Sequence, residues 1–210
     1  RYYNADGGEA EMCGNGARCF GNFAAALLHH DKTAPLPFET MAGVVTATFE
    51  KDGNVTVNLT NPHSMQLFVL NADPTVGADV HFLNTGVPHA VAFLDKLEGL
   101  DISRLGAYLR YHEAFSPKGT NANFARILSP GHIAIRTYER GVEDETLACG
   151  TGITACALLH AVLTDAPSPI QVDVAGGDTL KVGFQRTGDR FTDVTLTGPA
   201  DLVFTGDIQI

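Results

Sequence analysis

Apolar residues recur along this chain in two rhythms, the 3.6-residue period of a helix and the alternation of a strand. Over residues 14–30, Phe20, Phe23, Ala24, Leu27 and Leu28 return at helical spacing. Over 152–164, Ala155, Leu158, Leu159 and Val162 do the same. These spacings predict two helices with those residues turned inward. A third helix is predicted over 102–109, with Asp101 at the position of an N-terminal cap. Alternating or β-branched stretches at 44–50, 55–60, 64–70, 89–94, 132–138, 170–174, 179–185 and 192–197 predict strands. Leu202-Val203-Phe204 reads as a short final strand, and Arg1-Tyr2-Tyr3-Asn4 as the middle of one.

The same order of features occurs twice. Glu9-Ala10-Glu11-Met12-Cys13-Gly14-Asn15-Gly16 opens the first helix, and Glu145-Thr146-Leu147-Ala148-Cys149-Gly150-Thr151-Gly152 opens the second. Each helix is followed by a proline-led strand (Pro37 and Pro169), an Ala-Gly turn, a hairpin, and a strand ending in Leu-Thr-x-Pro. The offset between copies stays between 132 and 137 residues. Two copies at so long a period exclude a solenoid and point to two related domains facing each other. Pro62 marks the boundary: residues 1–62 with 200–210 form the first domain and 63–199 the second. The first copy lacks the long lead-in, residues 61 to 138, that precedes the second cysteine. The expectation is that an N-terminal segment of the first domain is missing from the sequence.

Composition narrows the function. The chain has 210 residues, 44% of them hydrophobic and 18% charged, as in ordinary globular proteins. Its net charge of −10 argues against nucleic acid, which needs a basic face. No apolar run approaches a membrane span, so no membrane partner is expected. Four cysteines without a disulfide framework suit a reducing compartment, and a cytoplasmic location is expected. No Cys-x-x-Cys occurs and the histidines do not cluster at ligand spacing, so no metal is expected. The oligomeric state stays open, with a homodimer as one outcome.

The chemistry lies in the repeated cysteines. Cys13 and Cys149 each stand just before a helix, where unpaired N–H groups and the helix dipole lower a thiol pKa. The Gly-x-Gly after each lets a ligand approach the backbone and leaves N–H groups free for a carboxylate. Two equivalent thiols suit inversion of a carbon centre, where one takes a proton from one face and the other returns a proton to the opposite face. Cys19 and Cys156 fall on the apolar faces of the two helices and read as core residues. Glu9 and Glu145 are placed to brace their loops by accepting backbone N–H bonds, and Arg18 to hold the first loop.

Asn4-Ala5-Asp6-Gly7-Gly8-Glu9-Ala10-Glu11-Met12-Cys13-Gly14-Asn15-Gly16-Ala17-Arg18-Cys19 resembles the first active-site signature of the diaminopimelate epimerase family. Glu139-Arg140-Gly141, running on to Ala148-Cys149-Gly150-Thr151-Gly152, resembles the second, and Thr120-Asn121-Ala122-Asn123-Phe124 and Thr197-Gly198-Pro199-Ala200 also fit. The Cys-Gly-Asn-Gly form separates the chain from proline racemases, whose first motif normally has His after the Gly. The cysteine pair separates it from the phenazine-biosynthesis relatives. The resemblance covers the whole chain and implies a further N-terminal segment in the family.

The resemblance implies an α+β fold of two pseudo-symmetric domains, each a curled, mostly antiparallel sheet around a central helix, with the site in the cleft between them. It implies cofactor-independent interconversion of LL- and meso-diaminopimelate, a small amino-acid substrate. By position, Cys13 and Cys149 match the acid/base thiols, and Gly14, Asn15, Gly150 and Thr151 the carboxylate-binding turns. Asn4, Asn121 and Arg140 match contacts to the distal amino-acid group, and His89 and Glu139 the pair that tunes the thiols and touches the substrate amine. The family's Gly-Asn-Pro-His is Gly86-Val87-Pro88-His89 here, so no side-chain amide is available at Val87. Two rival readings are a racemase for another amino acid on the same scaffold, and a non-catalytic binding module. A distal zwitterion would need Asn4, Asn121 and Arg140, which distinguishes the first rival.

Overall fold

The computed structural model describes residues 3, 7–8 and 12–207. Asn4 and Glu9 lie outside the described residues, as do Arg1 and Tyr2 of the expected first strand. Helix α1 (Gly14–Leu27) begins at Cys13, whose extended backbone and Sγ cap the first turn. It packs on a small meander of β1 (Leu36–Thr40), β2 (Gly43–Phe49) and β3 (Val55–Asn58). Its buried face is Ala17, Arg18, Gly21, Ala24 and Ala25. A Cβ at Gly21 would stand 2.6 Å from the Ala47 Cβ, so glycine is what lets helix and sheet approach so closely. Phe20, Phe23, Leu27 and Leu28, expected inward, point outward and are 48–66% exposed. The helix carries two apolar stripes, and the one made of small residues docks because it lets the backbones come nearer.

The second half is larger. It comprises β4 (His63–Asp73), β5 (Ala78–Asn84), β6 (Pro88–Phe93), α2 (Ile102–Arg110), β7 (Asn121–Ser129), β8 (His132–Glu139) and β9 (Asp144–Thr146). Then follow α3 (Gly150–Thr164), β10 (Ile170–Asp173), β11 (Thr179–Thr187) and β12 (Arg190–Gly198). Asp101 caps α2 as expected, its side chain accepting from the Arg104 N–H at 3.0 Å. Helix α3 is buried on every side from Gly152 to Ala161, beyond the single inward face its spacing predicts. A helix that is apolar all round belongs inside, and strands surround it.

The described strands form one open twelve-stranded sheet in the order β1-β2-β3-β12-β11-β10-β8-β7-β6-β5-β4, with β9 pairing β8 alongside. This is the mixed, mostly antiparallel α+β architecture expected. Its symmetry is visible at the junction of β3 and β12. Asn58 pairs with Thr195, its own counterpart 137 residues on, and Val57 pairs with Leu196. The Leu59 N–H reaches the Val194 carbonyl at 2.8 Å, which exchanges the same two counterparts. The pseudo-twofold axis therefore passes through the Asn58–Thr195 pair. The final strand expected at Leu202-Val203-Phe204 is absent: these residues form no ladder and are 73–88% exposed. Their alternation-free apolar run has no partner among the described residues.

Side-chain alternation along β6, β7 and β8 divides the larger half into two layers. Val91, Ala125, Ile133 and Ile135 join α3 in one core. Ala90, Ala122, Phe124 and Tyr138 join α2 in the other. By the same period of two, His89, Asn121, Asn123, Thr137 and Glu139 share the α3 face.

Candidate active site

The two cysteine-capped helix starts meet beside the twofold axis. A Cβ on Gly150 would lie 3.4 Å from the Gly14 Cα and 3.6 Å from the Asn15 nitrogen. The same Cβ would lie 3.2 Å from Leu196 Cδ2, and one on Gly14 3.0 Å from that methyl. Leu196, on β12 beside the axis, is thus the shared floor under both helix starts. Glycine at both positions lets two backbones touch where side chains would hold them apart. Cys13 and Cys149 are both helix caps with extended backbone.

Side chains then lock the two loops together. Asn15 Nδ2 donates to the Ala148 carbonyl at 3.0 Å, joining the first loop to the second. Arg18, 5% exposed, donates to Asn15 Oδ1 and to the Pro199 carbonyl, so it holds the first loop as expected. Asn15's side chain is therefore a brace, and any contact it makes to a carboxylate falls to its backbone N–H. Glu145 also braces its loop, but through Arg136, which donates to its two oxygens at 2.7 and 2.6 Å, and not by accepting backbone N–H groups from the cysteine loop. Arg136 was not singled out in the sequence.

The thiols sit in different surroundings. Cys13 is half-buried and its Sγ accepts from the Gly16 N–H at 3.3 Å. Cys149 is buried, with Thr151 Oγ1 3.4 Å from its sulfur. A helix start is expected to lower a thiol pKa, but the Cys149 thiol is pushed up to about 12. Burial is the main cause, and the nearby Glu139 carboxylate adds to it. Burial raises Glu139 as well. Two acids in one low-dielectric site oppose each other's ionisation, and this outweighs the helix end. Cys149 thus rests as a protonated thiol. Cys156 is buried as expected, whereas Cys19 is exposed, because it falls on the outer stripe of α1.

His89 is fully buried, and burial holds its pKa down to about 3, with the Arg140 charge acting in the same sense. It is a neutral imidazole at physiological pH. Asn121 spends its side chain on backbone: Nδ2 donates to the Pro88 carbonyl at 2.9 Å and Oδ1 accepts from the Arg140 N–H at 2.8 Å. It ties the His89 loop to the Arg140 turn. The Arg140 guanidinium donates to the Lys118 carbonyl at 3.3 Å and lines a cleft of about 830 Å³. Met12, Val87, Pro88, Lys118 and Thr151 also line it. The cleft therefore runs from the cysteine loops to a cationic end. Val87 contributes an apolar wall, and its carbonyl accepts from the Thr85 N–H at 3.1 Å.

Gly152 marks a contact that sequence reading passes over. A Cβ there would stand 2.4 Å from Asn123 Oδ1 and 3.3 Å from His89 Cε1. Gly152→Ala should displace the buried Asn123–His89 pair and lower stability by about 1–3 kcal/mol, the usual cost of overpacking. Thermal unfolding beside wild type measures it, and an unchanged Tm would contradict the close approach.

Comparison with known proteins agrees with this geometry. The family model described as Diaminopimelate epimerase matches residues 1–65 and 81–203. A diaminopimelate epimerase of Hydrogenobaculum sp. (strain Y04AAS1) is 43% identical over 98% of this chain and 73% of its own length. One of Aquifex aeolicus (strain VF5) is 42% identical over 99% of this chain and 73% of its own length. Among solved structures, a probable proline racemase from Agrobacterium radiobacter K84 with bound carbonate superposes with a TM-score of 0.67 at 20% identity, covering 93% of this chain and 67% of its own. A Bacillus anthracis phenazine biosynthesis protein of the PhzF family gives 0.67 at 14% identity, covering 92% and 74%. At those identities the two structures speak for the fold alone. No helix among the described residues is long and apolar enough to cross a membrane. With family signatures at both cysteine loops and relatives above 40% identity along almost the whole chain, the protein belongs to the diaminopimelate epimerase family.

Proposed function

We propose that this protein interconverts LL- and meso-diaminopimelate by passing protons between two thiols, with no cofactor. The observation that carries the reading is the contact of the two cysteine-capped helix starts at Gly14 and Gly150. Free N–H groups of both helix ends hold the substrate's α-carboxylate, where they also stabilise the charge that develops as the α-proton leaves. One thiolate removes that proton and becomes a thiol. The opposite thiol delivers its own proton to the other face and becomes a thiolate. The α-carbon is inverted, and the two sulfurs have exchanged protonation states. Because Cys149 rests protonated, it is assigned the donor's part of the pair in the resting molecule. The reverse reaction uses them the other way round.

His89 and Glu139 border the Cys149 side of the site and are assigned to the α-amino group and to thiol tuning. Arg140, at the cationic end of the cleft, is assigned to the distal carboxylate, with Asn121 holding its turn. That cationic end favours a substrate with a second charged terminus over a simple amino acid. Asn4 is assigned to the distal group by family position only. The free thiols need a reducing compartment, and the cytoplasm is the proposed location. The test is to incubate the protein with LL-diaminopimelate, without pyridoxal phosphate and with a chelator present, and to separate stereoisomers by chiral chromatography. Conversion toward the meso form supports the reading; unchanged LL-diaminopimelate refutes it.

A further inference from the structure

We propose that Asn123, held by Thr137, is a positioning residue that fixes the tautomer of His89, making His89 Nε2–H a hydrogen-bond donor in the active site and not a base. The inference rests on the functional reading above and adds two residues to it. Asn123 is fully buried. Its Nδ2 lies 2.9 Å from the Ala90 carbonyl and 3.1 Å from His89 Nδ1. Its Oδ1 accepts from Thr137 Oγ1 at 3.0 Å.

These contacts orient the amide without ambiguity. A carbonyl only accepts, so the atom beside Ala90 must be the NH₂ group. One of its hydrogens goes to Ala90, and the other points at His89 Nδ1. Nδ1 must then present a lone pair, so the proton of the neutral ring sits on Nε2. An imidazolium, with N–H on both nitrogens, would meet Asn123 donor to donor.

Nε2 is buried and has no hydrogen-bond partner among the described residues. The adjacent Cε1 lies 3.3 Å from where a Gly152 Cβ would stand, so this edge of the ring borders the first turn of α3. A buried N–H left unpaired there costs stability unless a partner arrives. The fitting partner is an acceptor: a thiolate, or the lone pair of a neutral substrate amine. As a donor, Nε2–H favours the charged sulfur that forms during turnover.

Two measurements test this. In ¹⁵N-histidine-labelled protein, long-range ¹H–¹⁵N correlations distinguish the two neutral tautomers, and His89→Gln assigns the ring. Wild type should show His89 bare at Nδ1 and protonated at Nε2. This reading needs no turnover, so a protein with that tautomer that leaves diaminopimelate untouched sinks the functional reading alone. In the second, Asn123→Asp offers an acceptor to Nδ1. It should lower kcat at least about tenfold with little change in KM. It should also add a descending limb to the kcat–pH profile, because the variant keeps an Nε2–H donor only while His89 is an imidazolium. Should that variant fail to fold, Thr137→Val, which removes the anchor on Oδ1 and leaves the amide held from the Ala90 side alone, should lower kcat in the same way, and Thr137→Ser should restore it. A proton on His89 Nδ1 in wild type overturns the proposal. So does a folded Asn123→Asp or Thr137→Val enzyme with wild-type kcat and an unaltered pH profile.

Discussion

Cys13→Ala and Cys149→Ala should each abolish epimerisation, with kcat falling by about 10⁴ or to background, the upper range of acid/base contributions. Either loss alone is enough. With one thiol, a proton can leave and return on a single face, and the carbon keeps its configuration. The structure sharpens the expectation through its controls. Cys19 is exposed on the outer stripe of α1, so Cys19→Ala should leave activity and stability intact. Cys156 is fully buried in the α3 core, so Cys156→Ala should lower Tm while the remaining folded enzyme turns over normally. Steady-state assays and thermal unfolding of the four variants separate the two classes. A Cys13→Ala enzyme working near the wild-type rate would contradict the two-thiol assignment.

Arg140→Lys should cut kcat/KM for diaminopimelate at least about tenfold, or about 1.4 kcal/mol of transition-state binding. Lysine keeps the charge but loses the planar fork that grips a carboxylate through two parallel hydrogen bonds. In this protein it would also lose the bond to the Lys118 carbonyl that helps aim the guanidinium. Burial lowers the Arg140 pKa, and arginine's high starting value still leaves it charged. A shorter, more readily neutralised amine would not be so secure there. Wild type should reject free lysine as substrate, since it has no distal carboxylate and would leave Arg140 unpaired. Equal turnover of lysine and diaminopimelate, or unchanged kinetics in Arg140→Lys, would move the assignment to a broader amino-acid racemase.

The site was legible where chemistry and repetition coincided. Cys13 and Cys149 announce themselves because each stands between a glutamate and a Gly-x-Gly turn, and the repeat predicts that their helix starts face each other. Residues whose task is to hold other residues were harder to find. Asn123 sits inside a quoted motif, yet only the sheet brings it beside His89 of β6 and Thr137 of β8. Leu196 reads as one more strand leucine until the axis places it under both helix starts. The fold shows the same division. Strand β7 carries asparagines at buried positions, where alternation of apolar and polar residues gives no signal. For α1, periodicity reveals an apolar stripe but cannot say which of two stripes docks. The thiol pKa expectation failed at Cys149 because a sequence shows the helix end and hides the burial.

The central claim is that protons enter and leave on opposite faces through different sulfurs. Following LL-diaminopimelate in deuterated water at low conversion tests it most directly. A two-thiol enzyme gives meso product carrying solvent deuterium at the inverted carbon, while the remaining LL substrate keeps its original hydrogen. Product that retains the substrate hydrogen, or deuterium appearing equally in recovered substrate and product, would mean that one group serves both faces and would contradict the account.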